Sequence, residues 1–428
     1  MGTNLIIFSL LYNVVCVISF RVSSLHGTVG AHSAQRLSMQ HVAMQASKGA
    51  TLSPGQEPPK TAHDFDADYN LNCADECNID RRGEYSGLFQ LSEQSAAFDR
   101  LACEVDGAEL IAPLARVLED LDAALLIEDD TKPIPLSAVE KSLDKLLKSN
   151  TGTGCKEIET AVVYHLKDKY QGMLTESPIL ERIVSKPQGY TGDYLTIEWM
   201  YDNRPRDIGS YNGRRIDQAA LELVACKAVQ NRRGLLTSVF SEAVAERSAT
   251  DSSPLQVASM ACGPAREVYD FFHQDPARMD ICFQLIDLDA DALLFVQSWC
   301  DEMTIKPHQV TLHQKNLLLG CVGRERINLP QQDLMYSMGL IDYLSDKTII
   351  RLLNFVHENL RAGGKVVLGQ FHTRNPTRGL MDTILEWKLI HRNEDDMNRI
   401  FSLSKFNSHC TEIVYDATGT QMLCCCEK

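Results

Sequence analysis

Val257–Phe272 reads V-A-S-M-A-C-G-P-A-R-E-V-Y-D-F-F, an apolar run that breaks at one glycine and resumes with helical spacing. A strand that turns tightly into an amphipathic helix opens a parallel strand–helix unit, and such turns are where these sheets hold ligands. A triphosphate loop needs Gly-Lys-Ser/Thr after the turn, and none follows here. The dinucleotide fingerprint needs three glycines, where this chain offers Ala261, Gly263 and Ala265. Small residues at alternate positions still let the backbone approach a ligand, but Pro264 removes an N–H that a pyrophosphate would use, and proline there suits the first turn of the helix that follows. The turn is expected to hold a ligand without phosphates.

Downstream, short β-rich runs alternate with helical segments: Leu255–Met260, Phe283–Ile286, Val310–Leu312, Leu334–Ser337 and Lys365–Leu368. That alternation predicts a parallel sheet covered on both faces. The end departs from it, because Glu412–Tyr415, the turn Asp416–Gly419 and Gln421–Cys424 read as an antiparallel hairpin on the sheet edge. Upstream, from Ser86 to Ala249, apolar residues recur at helical spacing and predict five to seven helices. Thr61–Tyr85 is acidic and aperiodic, a linker or loose cover. Three regions are expected: 1–60 as presequence and linker, 61–250 as linker and helical lid, and 251–428 as the ligand-binding α/β domain.

The 428 residues carry 42 Lys and Arg against 57 Asp and Glu, a formal charge of -15, so phosphate backbones and anionic lipids would be repelled. Arg81–Arg82, Arg214–Arg215 and Arg232–Arg233 read as solvated helix faces, and no nucleic acid partner is expected. The 14 cysteines are scattered and form no disulfide framework. Cys73 and Cys77 lack a second pair, so no metal is expected, and Cys424–Cys426 reads as small apolar filling at the end of a sheet.

Leu5–Phe20 is nearly continuously apolar but short for a membrane span, as in the core of a signal peptide, and no stable span is expected in the mature chain. No acid precedes Glu57, and the segment is rich in Ser and Ala with scattered Arg and Lys. A signal core followed by such a segment resembles the bipartite plastid presequence of algae with complex plastids, with Ile18–Phe20 resembling its cleavage junction. A secretory signal followed by a linker is the alternative.

About twenty residues beyond the turn, Ile286–Asp291 (I-D-L-D-A-D) ends the second strand, where an acid accepts hydrogen bonds from ribose hydroxyls. Asp287 is the first choice and Asp289 the second; a helix cap or first-turn role is the competing reading for Asp289 and Asp291. Turn and acid together resemble the class I S-adenosylmethionine-dependent methyltransferases over residues 250–428, supported by Asp333–Leu344, Leu360–Leu368 and the terminal hairpin. The resemblance implies a Rossmann-like sheet, S-adenosylmethionine as cofactor, and cofactor contacts from Ala261, Gly263, Ala265, Asp287, Asn316 beside adenine, Tyr336 and Ser337. One departure stands out: the acid often found two residues before the first glycine is Ser259 here.

A narrower resemblance covers residues 180–428. Lys186–Tyr194 (K-P-Q-G-Y-T-G-D-Y), Asn231–Gly234 (N-R-R-G), Tyr336–Leu344, Phe371–Pro376 and Met381–Arg392 are similar to the bacterial methyltransferase family implicated in making 3-hydroxypalmitic acid methyl ester. It implies that the helical half is a lid and that the acceptor is a small hydroxy-carboxylic acid.

Methyl transfer from a sulfonium is an in-line displacement, for which the protein supplies proximity, orientation and exclusion of water. Tyr190, Tyr194, Tyr336, Tyr343 and Trp387 are candidates to line the cation, with plain core packing as the competing reading. Tyr190, Asp193 and His372 are the catalytic candidates, His372 also reading as a substrate-orienting residue. Tyr194, Tyr343, Asn375, Trp387 and Arg392 are the acceptor-binding candidates, and Arg374, Arg378 and Arg392 could anchor a carboxylate. If residues 1–60 address a plastid, S-methylation of 4-methylthio-2-hydroxybutyrate on the route to dimethylsulfoniopropionate becomes the specific expectation. Carboxyl O-methylation of a hydroxy fatty acid, and a non-catalytic regulatory protein that binds the cofactor, are the alternatives.

Overall fold

The computed structural model describes residues 105–126, 132–149, 155–206, 210–248 and 253–428. The presequence, the acidic linker, Cys73, Cys77 and Arg81–Arg82 lie outside the described residues. Among the described residues, helices α1 (Val105–Leu125), α2 (Leu136–Ser149), α3 (Cys155–Leu174), α4 (Pro178–Ser185), α5 (Tyr194–Asp202), α6 (Tyr211–Leu221) and α7 (Val224–Ser248) precede the first strand. Polar caps start several of them. Ser177, Asp193 and Ser210 each accept a backbone N–H from the first turn that follows. No described helix is long and apolar enough to cross a membrane.

The second half alternates as the sequence predicts: β1 (Leu255–Met260), α8 (Arg266–Gln274), β2 (Ile281–Asp287), α9 (Ala290–Glu302), β3 (Val310–Gln314), α10 (Leu317–Cys321) and β4 (Gln332–Met338). A 3₁₀ turn (Ile341–Tyr343), α11 (Asp346–Asn359), β5 (Leu360–Phe371), α12 (Arg378–Thr383), α13 (Glu394–Ser402), β6 (Glu412–Tyr415) and β7 (Gln421–Glu427) complete it. The sheet has seven strands in the order β3-β2-β1-β4-β5-β7-β6. β1 to β5 run parallel, and β7 joins β5 antiparallel with β6 outside it. The fold is therefore a Rossmann-like, mostly parallel sheet with flanking helices, closed by an antiparallel hairpin.

Successive side chains of a strand point to opposite faces, and the two cores divide accordingly. Val257, Phe283, Tyr336, Val367 and Leu423 face one core with Phe240 of α7 and Phe271 of α8. Ala258, Met335, Val366, Leu368, Met422, Cys424 and Cys426 face the other with Leu352, Leu353 and Phe401. A third core unites α1 to α6 and the start of α7 with Phe371, Leu380, Met381, Ile384, Leu385, Trp387 and Leu389 from the segment after β5. Helix α7 thus runs from the helical core onto the sheet, and the β5–α13 connection packs among the upstream helices. These two crossings bring distant segments to one edge of the sheet.

Two sequence readings are corrected here. Arg232 and Arg215 are buried rather than solvated, because α7 lies over the sheet and α6 sits inside the helical core. Pro264 falls outside α8, since Ala265 is its N-cap.

Candidate active site

β1, β2, β4 and β5 deliver their carboxyl ends to one edge, and the strand order reverses there between β1 and β4. Open α/β sheets bind ligands at such a reversal. The turn after β1 is held in an unusual backbone state. Ala261, Gly263 and Ala265 have φ of 56°, 54° and 47°. The left-handed region costs a residue with a Cβ about 1–2 kcal/mol, so surrounding contacts must hold the two alanines there. Cys262 N–H donates to Ile286 O (3.0 Å), and Gly263 N–H donates to Asp287 Oδ2 (2.8 Å). A Cβ at Gly263 would meet nothing within 4 Å, so the turn faces open space.

Asp287 also accepts from Asp289 N–H through Oδ1 (2.9 Å). Burial pushes its carboxyl up, while the N–H groups of Asp289 and Gly263 pull it back. A carboxylate has about four acceptor sites, so two N–H donors leave capacity for ligand hydroxyls. Asp289 caps α9 by accepting Asp291 N–H (2.9 Å), and Asp291 stands in its first turn. Asn316 caps α10 through Oδ1 (3.1 Å to Leu319 N) beyond the end of β3.

The segment Gly189–Asp193 forms a tight turn opposite this edge. Gln188 Nε2 donates to Asp291 Oδ2 (3.2 Å), tying it to the start of α9. Gly192 has φ of 75°, and its missing side chain admits Trp387 and Tyr343. Trp387 Nε1 donates to Tyr343 Oη (2.7 Å), and Tyr343 Oη donates to Thr191 O (3.0 Å). Tyr190 stays half exposed, and burial of its hydroxyl near Asp287 and Asp289 raises its pKa, keeping it a proton donor. Burial likewise raises Tyr343. Tyr190, Tyr343 and Trp387 therefore share one wall with the turn, whereas Tyr194 packs against Phe295 with ring centroids 5.8 Å apart.

Several other candidates are engaged in the scaffold. Asp193 accepts Arg182 Nε (3.0 Å) and Nη2 (2.8 Å), and caps α5 through Thr196 N–H (2.8 Å). Arg392 reaches Ile341 O, Gln370 Oε1, Leu344 O and Asp346, cross-bracing the exits of β4 and β5. Asn375 bonds Thr377 N–H and His391 inside the helical core. Tyr336 points into the sheet core and donates to Glu267 Oε1 (2.8 Å), and Ser337 donates to Met260 O (2.6 Å), tying β4 to β1. His372 Nδ1 accepts Arg374 N–H (3.0 Å), and Nε2 lies 3.0 Å from Glu394 Oε2, so both ring nitrogens are occupied. Arg374 pairs with Glu394, and Arg378 with Asp382.

Sequence reasoning missed a buried polar group between these elements: Tyr201, Arg232, Glu267, Asp342 and Gln370. Asp342 Oδ1 accepts Gln370 Nε2 (2.6 Å) and Phe371 N–H (2.8 Å), while Oδ2 is enclosed with no hydrogen-bond partner among the described residues. Burial raises its pKa to about 6. The only cue available in the sequence was Asn231–Gly234 and Tyr336–Leu344 standing among the family-like segments.

A family model described as "Putative methyltransferase" matches residues 185–290, which run from the Gly189–Asp193 turn through β1 and β2 to the start of α9. No curated protein matches the sequence. Among solved structures, a possible exported protein from Bordetella parapertussis is similar at 13% identity, over 74% of this chain and 96% of that one, with a TM-score of 0.42. Magnesium protoporphyrin IX methyltransferase from Synechocystis PCC 6803 is similar at 11% identity over 48% of this chain and 84% of that one (TM-score 0.36). The N-methyltransferase NodS from Bradyrhizobium japonicum is similar at 12% over 43% and 92% (TM-score 0.30). That family match takes in both the turn and its acid, and the chain is an enzyme of the methyltransferase class.

Proposed function

We propose that this enzyme transfers a methyl group from S-adenosylmethionine to a small carboxylate-bearing acceptor of the hydroxy acid type. The observation that carries the reading is the left-handed turn Ala261–Ala265 latched to Asp287 where the strand order reverses. The residues present fit the cofactor: open space lies before Gly263, and Asp287 keeps acceptor capacity for ribose hydroxyls. Asp287 and the turn would hold the ribose and the amino-acid part, with Asn316 beside the base. When bound, the cofactor supplies an electrophilic methyl on a sulfonium.

The chain's own residues then position and exclude. Tyr190, Tyr343 and Trp387 close one side of the cleft, and aromatic faces stabilise a nearby cation by about 0.5–2 kcal/mol each. The protonated Tyr190 hydroxyl can donate to an acceptor oxygen. No proton acceptor among the catalytic candidates is left available, since Asp193 and both nitrogens of His372 are engaged. A hydroxyl acceptor would need a base, whereas a thioether or a carboxylate would not. This favours S-methylation of 4-methylthio-2-hydroxybutyrate, with carboxyl O-methylation as the second reading. The address read in residues 1–60 puts this work in a plastid, which a fluorescent fusion of that segment would test.

Incubating the protein with S-adenosylmethionine and 4-methylthio-2-hydroxybutyrate, and following products by mass spectrometry, tests the substrate. A dimethylsulfonium product is expected. A methyl ester without sulfonium would overturn S-methylation in favour of the second reading.

A further inference from the structure

Arg232, a third of the way along α7, is only 3% exposed, yet no carboxylate among the described residues pairs with it. Its Nε donates to Tyr201 Oη (3.1 Å). Among the described residues, neither Nη1 nor Nη2 has a hydrogen-bond or ion-pair partner, and neither belongs to the fully enclosed polar atoms. Both therefore keep contact with accessible space. The guanidinium lies against the exit of β4, where a Cβ on Gly339 would stand 3.2 Å from Nη1 and 3.8 Å from Nη2. Beside that exit is the end of β1, so the fork opens at the reversal of strand order. By contrast, Arg374, Arg378 and Arg392 each have a carboxylate partner.

Withdrawing a guanidinium from water is costly unless an anion with matching geometry meets it, and two adjacent Nη groups match a carboxylate. The nearest acids do not serve. Glu267 Oε1 takes the Tyr336 hydroxyl, Asp342 Oδ1 takes Gln370 and Phe371, and both stand close enough to act on Arg232 electrostatically without bonding to it. A bare anion entering here would meet two carboxyl groups of its own sign. A carboxylate with a positive group beside it would satisfy the arginine and the acids together.

We infer that Arg232 receives, through Nη1 and Nη2, the carboxylate of a ligand that carries a cation nearby. The inference rests on the methyltransferase reading of this cleft and adds a binding residue to it. Two sources share the chemistry: the amino-acid end of the cofactor, and an acceptor carboxylate lying close to the sulfonium.

Full-length wild type, Arg232→Lys and Arg232→Gln would be titrated calorimetrically with S-adenosylhomocysteine and with 5′-methylthioadenosine, which lacks both carboxylate and amine. If the carboxylate is the cofactor's, both substitutions weaken S-adenosylhomocysteine at least about tenfold, and 5′-methylthioadenosine binds as before. If it is the acceptor's, S-adenosylhomocysteine is unaffected, and protein saturated with it loses at least about tenfold for 4-methylthio-2-hydroxybutyrate but not for its methyl ester. Unchanged affinity for both acids overturns the assignment. Should the variants lose 5′-methylthioadenosine as well, wild type decides, because equal binding of each acid and its methyl ester would also overturn it. Wild type that binds neither nucleoside sinks the cofactor reading and this assignment together, a result distinct from wild type that binds both and variants that match it.

Discussion

Replacing Gly192 by alanine tests how the Gly189–Asp193 turn is locked to the far end of the chain. The residue sits at φ of 75°, and an added Cβ would lie 2.8 Å from Trp387 Cζ2 and 2.9 Å from Tyr343 Oη. Neither neighbour is free to retreat, since Trp387 donates to Tyr343 and Tyr343 donates to Thr191 O in the same turn. A left-handed alanine costs about 1–2 kcal/mol, and overpacking a fixed wall costs about 1–3 kcal/mol. The sum is roughly 2–5 kcal/mol, a large part of a domain's usual margin. Gly263→Ala is the control, because its φ of 54° carries the same backbone penalty while its Cβ would meet nothing within 4 Å. Urea unfolding followed by tryptophan fluorescence would compare the two, with about 1–2 kcal/mol expected for Gly263→Ala. A Gly192→Ala variant no less stable than Gly263→Ala would refute the argument that Trp387 and Tyr343 clamp this turn.

Asp193→Ala is expected to lose about 3–5 kcal/mol, because it strands Arg182 and uncaps α5; Asp193→Asn that unfolds like wild type but turns over no substrate would instead make Asp193 catalytic. Asp287→Ala should weaken S-adenosylmethionine about 10- to 100-fold in calorimetry, as hydrogen bonds to a charged group are worth about 1.5–3 kcal/mol, and unchanged affinity would remove the ribose site. Asp342 titrates near 6 in the folded chain, above its ordinary 3.8, so the folded state binds the extra proton and stability falls as pH rises across that window, then levels off. Asp342→Asn keeps an acceptor for Gln370 and Phe371 and should flatten that slope; urea midpoints of the variant that fall with pH as steeply as those of wild type would show that Asp342 is not the group responsible.

Much of the sheet was legible because its rules are local. Alternating apolar residues, the glycine break after β1 and the Asp416–Gly419 turn mark strands and connections within a few residues of one another. The observed β1 and β6 coincide with the runs read from the sequence, and β2, β4 and β7 extend them by one to three residues at an end. Asp287 and the Ala261–Ala265 turn were legible for the same reason: the end of a strand and a turn of small residues are local signals. Side-chain engagement was not. Asp193, Asn375 and Arg392 look like chemistry in a sequence, but each finds its partners 2 to 51 residues away and serves the scaffold.

By itself the sequence determined the alternation of strand and helix, the closing hairpin and the acid that follows β2, since these follow from periodicity and turn chemistry along the chain. The tertiary structure alone decided that Arg232 is buried with an open fork while its neighbour Arg233 pairs with Asp270 on the other side. It also decided that Gly192 meets Trp387 across the turn. Burial and partner choice depend on which elements cross in space, and here α7 and the β5–α13 connection cross between cores that no local pattern links.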